Sequence, residues 1–295
     1  MSVNDEAEIE ASRAPLLDHL IELRQRLIIC AAAMAVGFVG CFIISKPLYE
    51  FLLRPFILAN ALLAEQKHGS HGPFDLVLTV TGLHHVAAAP EVLRLQSTAP
   101  LESFFTYVKL AMFGAVVITF PILAWQLYRF VAPGLYRRER KAFLPFLVAS
   151  PVLFAMGAAL VYYVMLPFVL WFSLTQQIVT AQIKVELVTR VSEYLNLVMQ
   201  LLLAFGLCFQ LPVVVTLAGM AELVHAKTLA SGRRYAFVGI IVVSALVTPP
   251  DMVSPFLLAI PIYALYEASI WCVRLIEAQR RRTEVADAAK ATTSA

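Results

Sequence analysis

Charge is scarce in this sequence. Asp, Glu, Lys and Arg together supply 15% of the 295 residues, against 60% hydrophobic residues and a mean hydropathy of +0.77. Soluble domains hold apolar usage near about 45–50%, so a soluble chain is excluded and a polytopic membrane protein is expected. The net charge is only +3, with no basic stripe interleaved with aromatics, which argues against nucleic acid as a partner. Cysteine is sparse too. Cys30, Cys41, Cys208 and Cys272 all lie in apolar runs without CxxC spacing, and read as small buried hydrophobes rather than disulfides or metal ligands. GxxxxGK[ST], GxSxG and HExxH are missing; catalysis, a cofactor and a metal are not expected. Positive charge is lacking where a cleaved signal peptide needs it: residues 1–14 carry Asp5, Glu6, Glu8 and Glu10, so the first span stays in the mature chain and residues 1–14 are expected to form a disordered cytoplasmic tail.

Long hydrophobic runs are what the chain has. About 20 helical residues cross a hydrocarbon core of about 30 Å, and that rule predicts an all-α membrane protein with six spans at about 27–44, 104–128, 142–172, 194–221, 235–247 and 255–273. Together they make one domain, residues 15–278, followed by a basic and then disordered tail, 279–295. The fifth and sixth spans are separated only by "TPPDMVS", a tight turn because paired prolines fix φ and remove donors. Most Lys and Arg fall on the side of the amino terminus, which places both termini in the cytoplasm. The first outer loop is long. Its stretch "KPLYEFLLRPFILANALLAEQK" has helical spacing and suits a helix on the membrane surface or capping the bundle. "FDLVLTVTGL" is strand-like, and His68, His71, His84 and His85 read as solvated loop histidines.

Polar residues stand out against this background. In "DHLIELRQRLII", His19, Glu22 and Arg26 share one helix face and Leu20, Leu23 and Leu27 another. Two readings stay open there: an interfacial helix with an ordinary Glu22–Arg26 pair, or a surface read by a partner. In "FVAPGLYRRERK", Pro133 breaks the helix and Glu139 stands among bases. In one reading they neutralise it; in the other Glu139, with Glu22, suits two adjacent arginines, because a guanidinium fork matches a carboxylate bidentately. Gln210, near the middle of span four, is either interhelical glue or a functional amide. Two readings stay open for Glu267 as well: a functional acid near the inner end of span six, or a side chain that snorkels or pairs with Arg274. "SGRRYAF" is a basic flank of span five rather than a targeting signal.

Four motifs in order, "HLIELRQRL", "FVAPGLYRRERK", "AFGLCFQLPVVV" and "LVTPPDMVSPFLLAIPIYALYE", resemble the TatC family, the multispanning subunit of the twin-arginine protein translocase. The resemblance covers nearly the whole chain. It implies a concave, glove-like bundle of six helices in the bacterial inner membrane that receives a signal peptide as an inserted hairpin. It implies that Glu22 and Glu139 take the arginine pair, with Arg24 and Phe130 in the same motifs, and marks Pro55, Pro133 and Asp251 as family positions. Implied partners are twin-arginine signal peptides of folded precursors, TatA and TatB in an oligomeric complex, and membrane lipid; the implied energy source is the proton-motive force. Two departures stand out. Gln210 occupies a place where the family often has glutamate, and the first outer loop is longer than in compact members. A small-solute secondary transporter is the rival reading, yet such proteins carry internal repeats and midplane ionisable groups, neither of which is found here.

Overall fold

A computed structural model of the chain describes residues 3–65, 77–78, 81, 101–131, 144–175, 190–220, 223–248 and 254–293. The chain opens with α1, Val3–Ile43, and after one turn residue at Ile44 continues as α2, Ser45–Glu65. Next come α3, Glu102–Val131, and α4, Leu144–Leu160, which passes through a π-helical turn, Val161–Met165, into α5, Leu166–Thr175. The remaining helices are α6, Val191–Cys208; α7, Leu211–Met220; α8, Ala226–Ser231; α9, Arg233–Val247; and α10, Ser254–Thr293.

Among the described residues, five stretches are long and apolar enough to cross a membrane: Leu20–Ile43, Glu102–Phe130, Val148–Leu170, Val191–Met220 and Pro255–Gln279. The region expected to form the fifth of six spans is α9, a helix of 15 residues, about 22 Å long. Backbone helix extends from Val3 in α1 and to Thr293 in α10, through Ala- and Glu-rich sequence of high helix propensity. Val77 and Leu78 are helical, with the Thr81 amide donating to the Val77 carbonyl at 3.0 Å. At those residues a helical turn replaces the expected strand; the rest of "FDLVLTVTGL" lies outside the described residues, as do the four loop histidines.

Span four is interrupted rather than continuous. Pro212 has no N–H to offer the Cys208 carbonyl; the Phe209 amide still donates four residues back to Phe205 O, but the Gln210 amide tightens to Leu207 O three residues back, each at 2.9 Å, before α7 resumes with Val214 N to Gln210 O. α6 lies at the centre of the bundle, with Leu195, Val198, Leu201 and Phe205 fully buried among residues of α2, α3, α5 and α10. α1 is the opposite case. Only 6% of its spanning window is buried, against 44% for the spans in α3 and in α6–α7, and it joins the bundle mainly through α3. That contact is close because Gly37 faces Thr119 and Gly114 faces Cys41, the small-residue packing that membrane helices use. Cys41 is buried as expected, while Cys30, Cys208 and Cys272 are half-buried, and all four are free thiols.

Candidate functional site

The opening stretch forms part of α1 and turns its faces in an unexpected direction. Leu20, Leu23 and Leu27 are exposed, whereas the side chain of Arg26 is only 15% exposed and that of Glu22 35%. Lipid accepts the leucines, so the charged face is the one directed at the protein. Arg26 Nε donates to Glu22 Oε1 at 3.2 Å, and Arg26 Nη2 donates to the same oxygen. Glu22 is therefore a carboxylate already shaped to receive a guanidinium. Arg24, on another side of the helix, is exposed.

The antiparallel contacts Gly37–Thr119 and Cys41–Gly114 set a register between α1 and α3. Continued toward the amino end of α1, it brings Gln25 and Arg26 level with Phe130, and places Glu22 about one turn past the last residue of α3, Val131. Phe130 is half-buried there, and Arg129 in the last turn complements the helix dipole. Glu139, Pro133 and Asp251 lie outside the described residues.

Pro55 sits inside α2 and is buried. It leaves the carbonyl four residues earlier, at Phe51, without its helical donor. The hydroxyl of Tyr162, in the π-helical turn, donates to Phe51 O at 2.8 Å, and its ring stacks on that of Phe51 at 4.5 Å. Tyr194 repeats the device one residue on, donating to Leu52 O at 3.0 Å. Pro55 thus creates the acceptor through which the second helix is fastened across the bundle. Tyr162→Phe is expected to cost about 1–3 kcal/mol, read as a lower melting temperature in detergent together with faster proteolysis of α2; Tyr163→Phe, at an exposed neighbour, is expected to change neither.

Gln210 is buried and committed. Ser150 Oγ donates to its Oε1 at 2.6 Å, and its Nε2 donates to Ser150 O at 2.9 Å, so the amide joins the break after α6 to α4. The geometry is that of interhelical glue. Gln210→Leu removes a partner from both Ser150 groups and is expected to destabilise by about 1–3 kcal/mol, whereas the double variant with Ser150→Ala, which also takes away the stranded hydroxyl, is expected to lose less than the two single losses combined.

Glu267 departs from expectation. Its partner is Arg233 rather than Arg274: Arg233 Nε and Nη2 donate to Oε1 and Oε2 at 2.7 and 2.9 Å, and Tyr263 OH donates to Oε1 at 3.2 Å. This fork fastens the start of α9 to α10, and the hydrogen bond to Glu267 holds the Arg233 guanidinium above its ordinary pKa. Glu277 adds a cap, accepting from the Ala226 amide at the start of α8 at 3.0 Å. Sequence separation of 34 residues hid the first pair. Ser150, Tyr162 and Tyr194 were missed as well, although a proline inside an amphipathic helix was itself a signal that a donor had to come from elsewhere. Among the described residues no group of three His, Cys, Asp or Glu is placed to hold a metal.

Described residues that are helical apart from turns and caps, with several apolar spans, define a multi-pass membrane protein. A family profile described as "Sec-independent protein translocase protein (TatC)" matches residues 18–261, and the chain belongs to that family. It is 39% identical over 94% of its length to TatC of Magnetococcus marinus, covering 90% of that protein, and 32% identical to TatC of Escherichia coli over 92% of each. A solved crystal structure titled as the twin-arginine translocase receptor TatC superposes with a TM-score of 0.67 at 32% identity, over 87% of this chain and 98% of that one. The protein is thus a membrane component of the twin-arginine translocase, concerned with protein transport.

Proposed function

We propose that this chain is the signal-peptide receptor of its translocase, with Glu22 and Glu139 taking the two arginines of a folded precursor's signal on the cytoplasmic face. The register that carries Glu22 about one turn past the end of α3, on the side where the chain enters the 132–143 segment bearing Glu139, is the observation that supports it most directly. The likeness to a solved protein titled a receptor points the same way. Glu22 presents a carboxylate whose present partner, Arg26, is itself a guanidinium, and Arg24 and Phe130 border the same end of the α1–α3 pair. In this reading α9 completes six spans in a glove-like bundle with both termini cytoplasmic. The apolar part of the signal enters as a hairpin, TatA and TatB assemble around the chain, and the proton-motive force drives export. Pro133 and Asp251 count in this reading as further positions of the family's motifs.

The test is export of a folded reporter in cells lacking their own copy of the gene. Glu22→Ala and Glu139→Ala are each expected to reduce export at least about tenfold, by the loss of charged hydrogen bonds at about 1.5–3 kcal/mol, with protein levels unchanged. Export at the normal rate from both variants would point to a scaffold instead, and accumulation of a small solute by liposomes carrying the purified chain would favour the transporter.

A further inference from the structure

A groove of about 570 Å³ runs between α3 and α6, away from the Glu22–Phe130 end of the bundle. Its walls are apolar, with Met112, Met199 and Val116 prominent, and its polar groups are Lys109, Asn196 and Gln200. α3 has 30 residues, about 45 Å, so a centred core of about 30 Å leaves about five residues outside at each end. Lys109 then lies just inside the hydrocarbon boundary. A cation at that depth needs an anion or an aqueous outlet, yet Lys109 Nζ reaches across to α6, where it donates to Asn196 Oδ1 at 3.5 Å. That amide is neutral, and no carboxylate among the described residues forms an ion pair with Lys109.

We propose that this groove is a binding site for one phospholipid of the adjacent leaflet, its phosphodiester on Lys109 and Asn196 and an acyl chain along the methionine-lined walls. The charge is complementary, the depth is that of a headgroup with its first methylenes, and unbranched methionines adapt to a flexible chain. Gln200, one helical turn below Asn196, provides a donor for the ester carbonyls at the next level down. A membrane-inserted polypeptide fits less well, because a polar donor ladder at the mouth and an apolar wall beyond it match the polarity profile of a single lipid.

The test uses the purified full chain, stripped of lipid in mild detergent and titrated with dioleoylphosphatidylglycerol under native mass spectrometry. The wild type is expected to retain one lipid of high affinity. Lys109→Gln is expected to weaken it about fivefold, the value of one basic side chain near an anionic lipid surface. Met112→Trp, a substitution at an exposed wall residue, is expected to displace it, and Lys46→Gln, on α2 outside the groove, to leave it unchanged. Excess inorganic phosphate is expected not to compete, because it lacks the chain. Equal affinity in the wild type and Lys109→Gln, or equal loss in Lys46→Gln, would overturn the proposal. So would competition by phosphate alone, or a photo-reactive probe at position 112 that captures polypeptide rather than lipid in native membranes.

Discussion

Replacing Gly157 with leucine is expected to remove folded protein from the membrane. A Cβ at this position would stand 2.8 Å from Phe209 Cγ and 2.9 Å from the Phe205 carbonyl oxygen. The second neighbour is backbone, so no rotamer change relieves the clash and the two helices must separate. Separation is resisted from the other side. Gly206 in α6 admits the ring of Phe154 in α4, whose atoms come within 2.5 Å of where its Cβ would lie, and Phe154 is stacked on Phe120 of α3 at 4.0 Å. Each helix thus lays an aromatic ring on the other's glycine, and Gln210 and Ser150 are hydrogen-bonded beside them. Alanine at 157 is expected to cost about 1–3 kcal/mol, as overpacking does in close-packed interiors, and leucine considerably more. The measurements are steady-state protein level and melting temperature. Gly40→Ala, where nothing lies within 4 Å of the new Cβ, is expected to hold both or raise them slightly, since alanine is the better helix former. Loss in Gly40→Ala equal to that in Gly157→Ala would show that glycine matters for the flexibility of the spans and not for their close approach.

The second large effect concerns the cargo. Exchanging the two arginines of a signal peptide for lysines conserves charge but removes the planar fork, and it is expected to weaken binding about tenfold or more for each residue. Arg233 illustrates why: its Nε and Nη2 reach the two oxygens of Glu267 at 2.7 and 2.9 Å, a parallel pair that an ammonium on a single carbon does not reproduce. Glu22→Gln is expected to narrow the difference between arginine and lysine signals, because an amide offers one acceptor oxygen where the carboxylate offers two. Titration of a labelled signal peptide onto the chain in nanodiscs reads both. Equal affinities for the two signals would leave only electrostatic attraction and would remove the geometric part of the argument.

Much of the fold was legible because hydropathy and helical spacing act locally. The spans follow from apolar runs, and the leucines and phenylalanines of α2 announced a helix despite Pro55. What stayed hidden depends on partners distant in the chain. The π-helical turn at Val161–Met165 places Tyr162 against a carbonyl 111 residues away, and nothing in "VYYVM" alone signals that. Pro212 was visible, yet the interruption at Phe209 and Gln210 was read as continuous helix because apolar residues persist on both sides. In α1 the spacing separated two faces correctly but could not say which one lipid would take. The leucines face outward and the Glu22–Arg26 pair inward, the reverse of the arrangement in water. For Glu267 the sequence offers Arg274, seven residues along the same helix, as a partner, while tertiary structure brings Arg233 to it from α9.

The central claim is that the charged stretch at the start of the bundle receives the arginine pair. Photo-crosslinking from probes at positions 22 and 139 to signal peptides bearing Arg-Arg or Lys-Lys, in native membranes that export the arginine form, tests it most directly. The account predicts adducts from both positions with arginines and a marked loss with lysines. Absence of adducts from either position with the exported signal would contradict it and return Glu22 and Arg26 to the role of an interfacial ion pair.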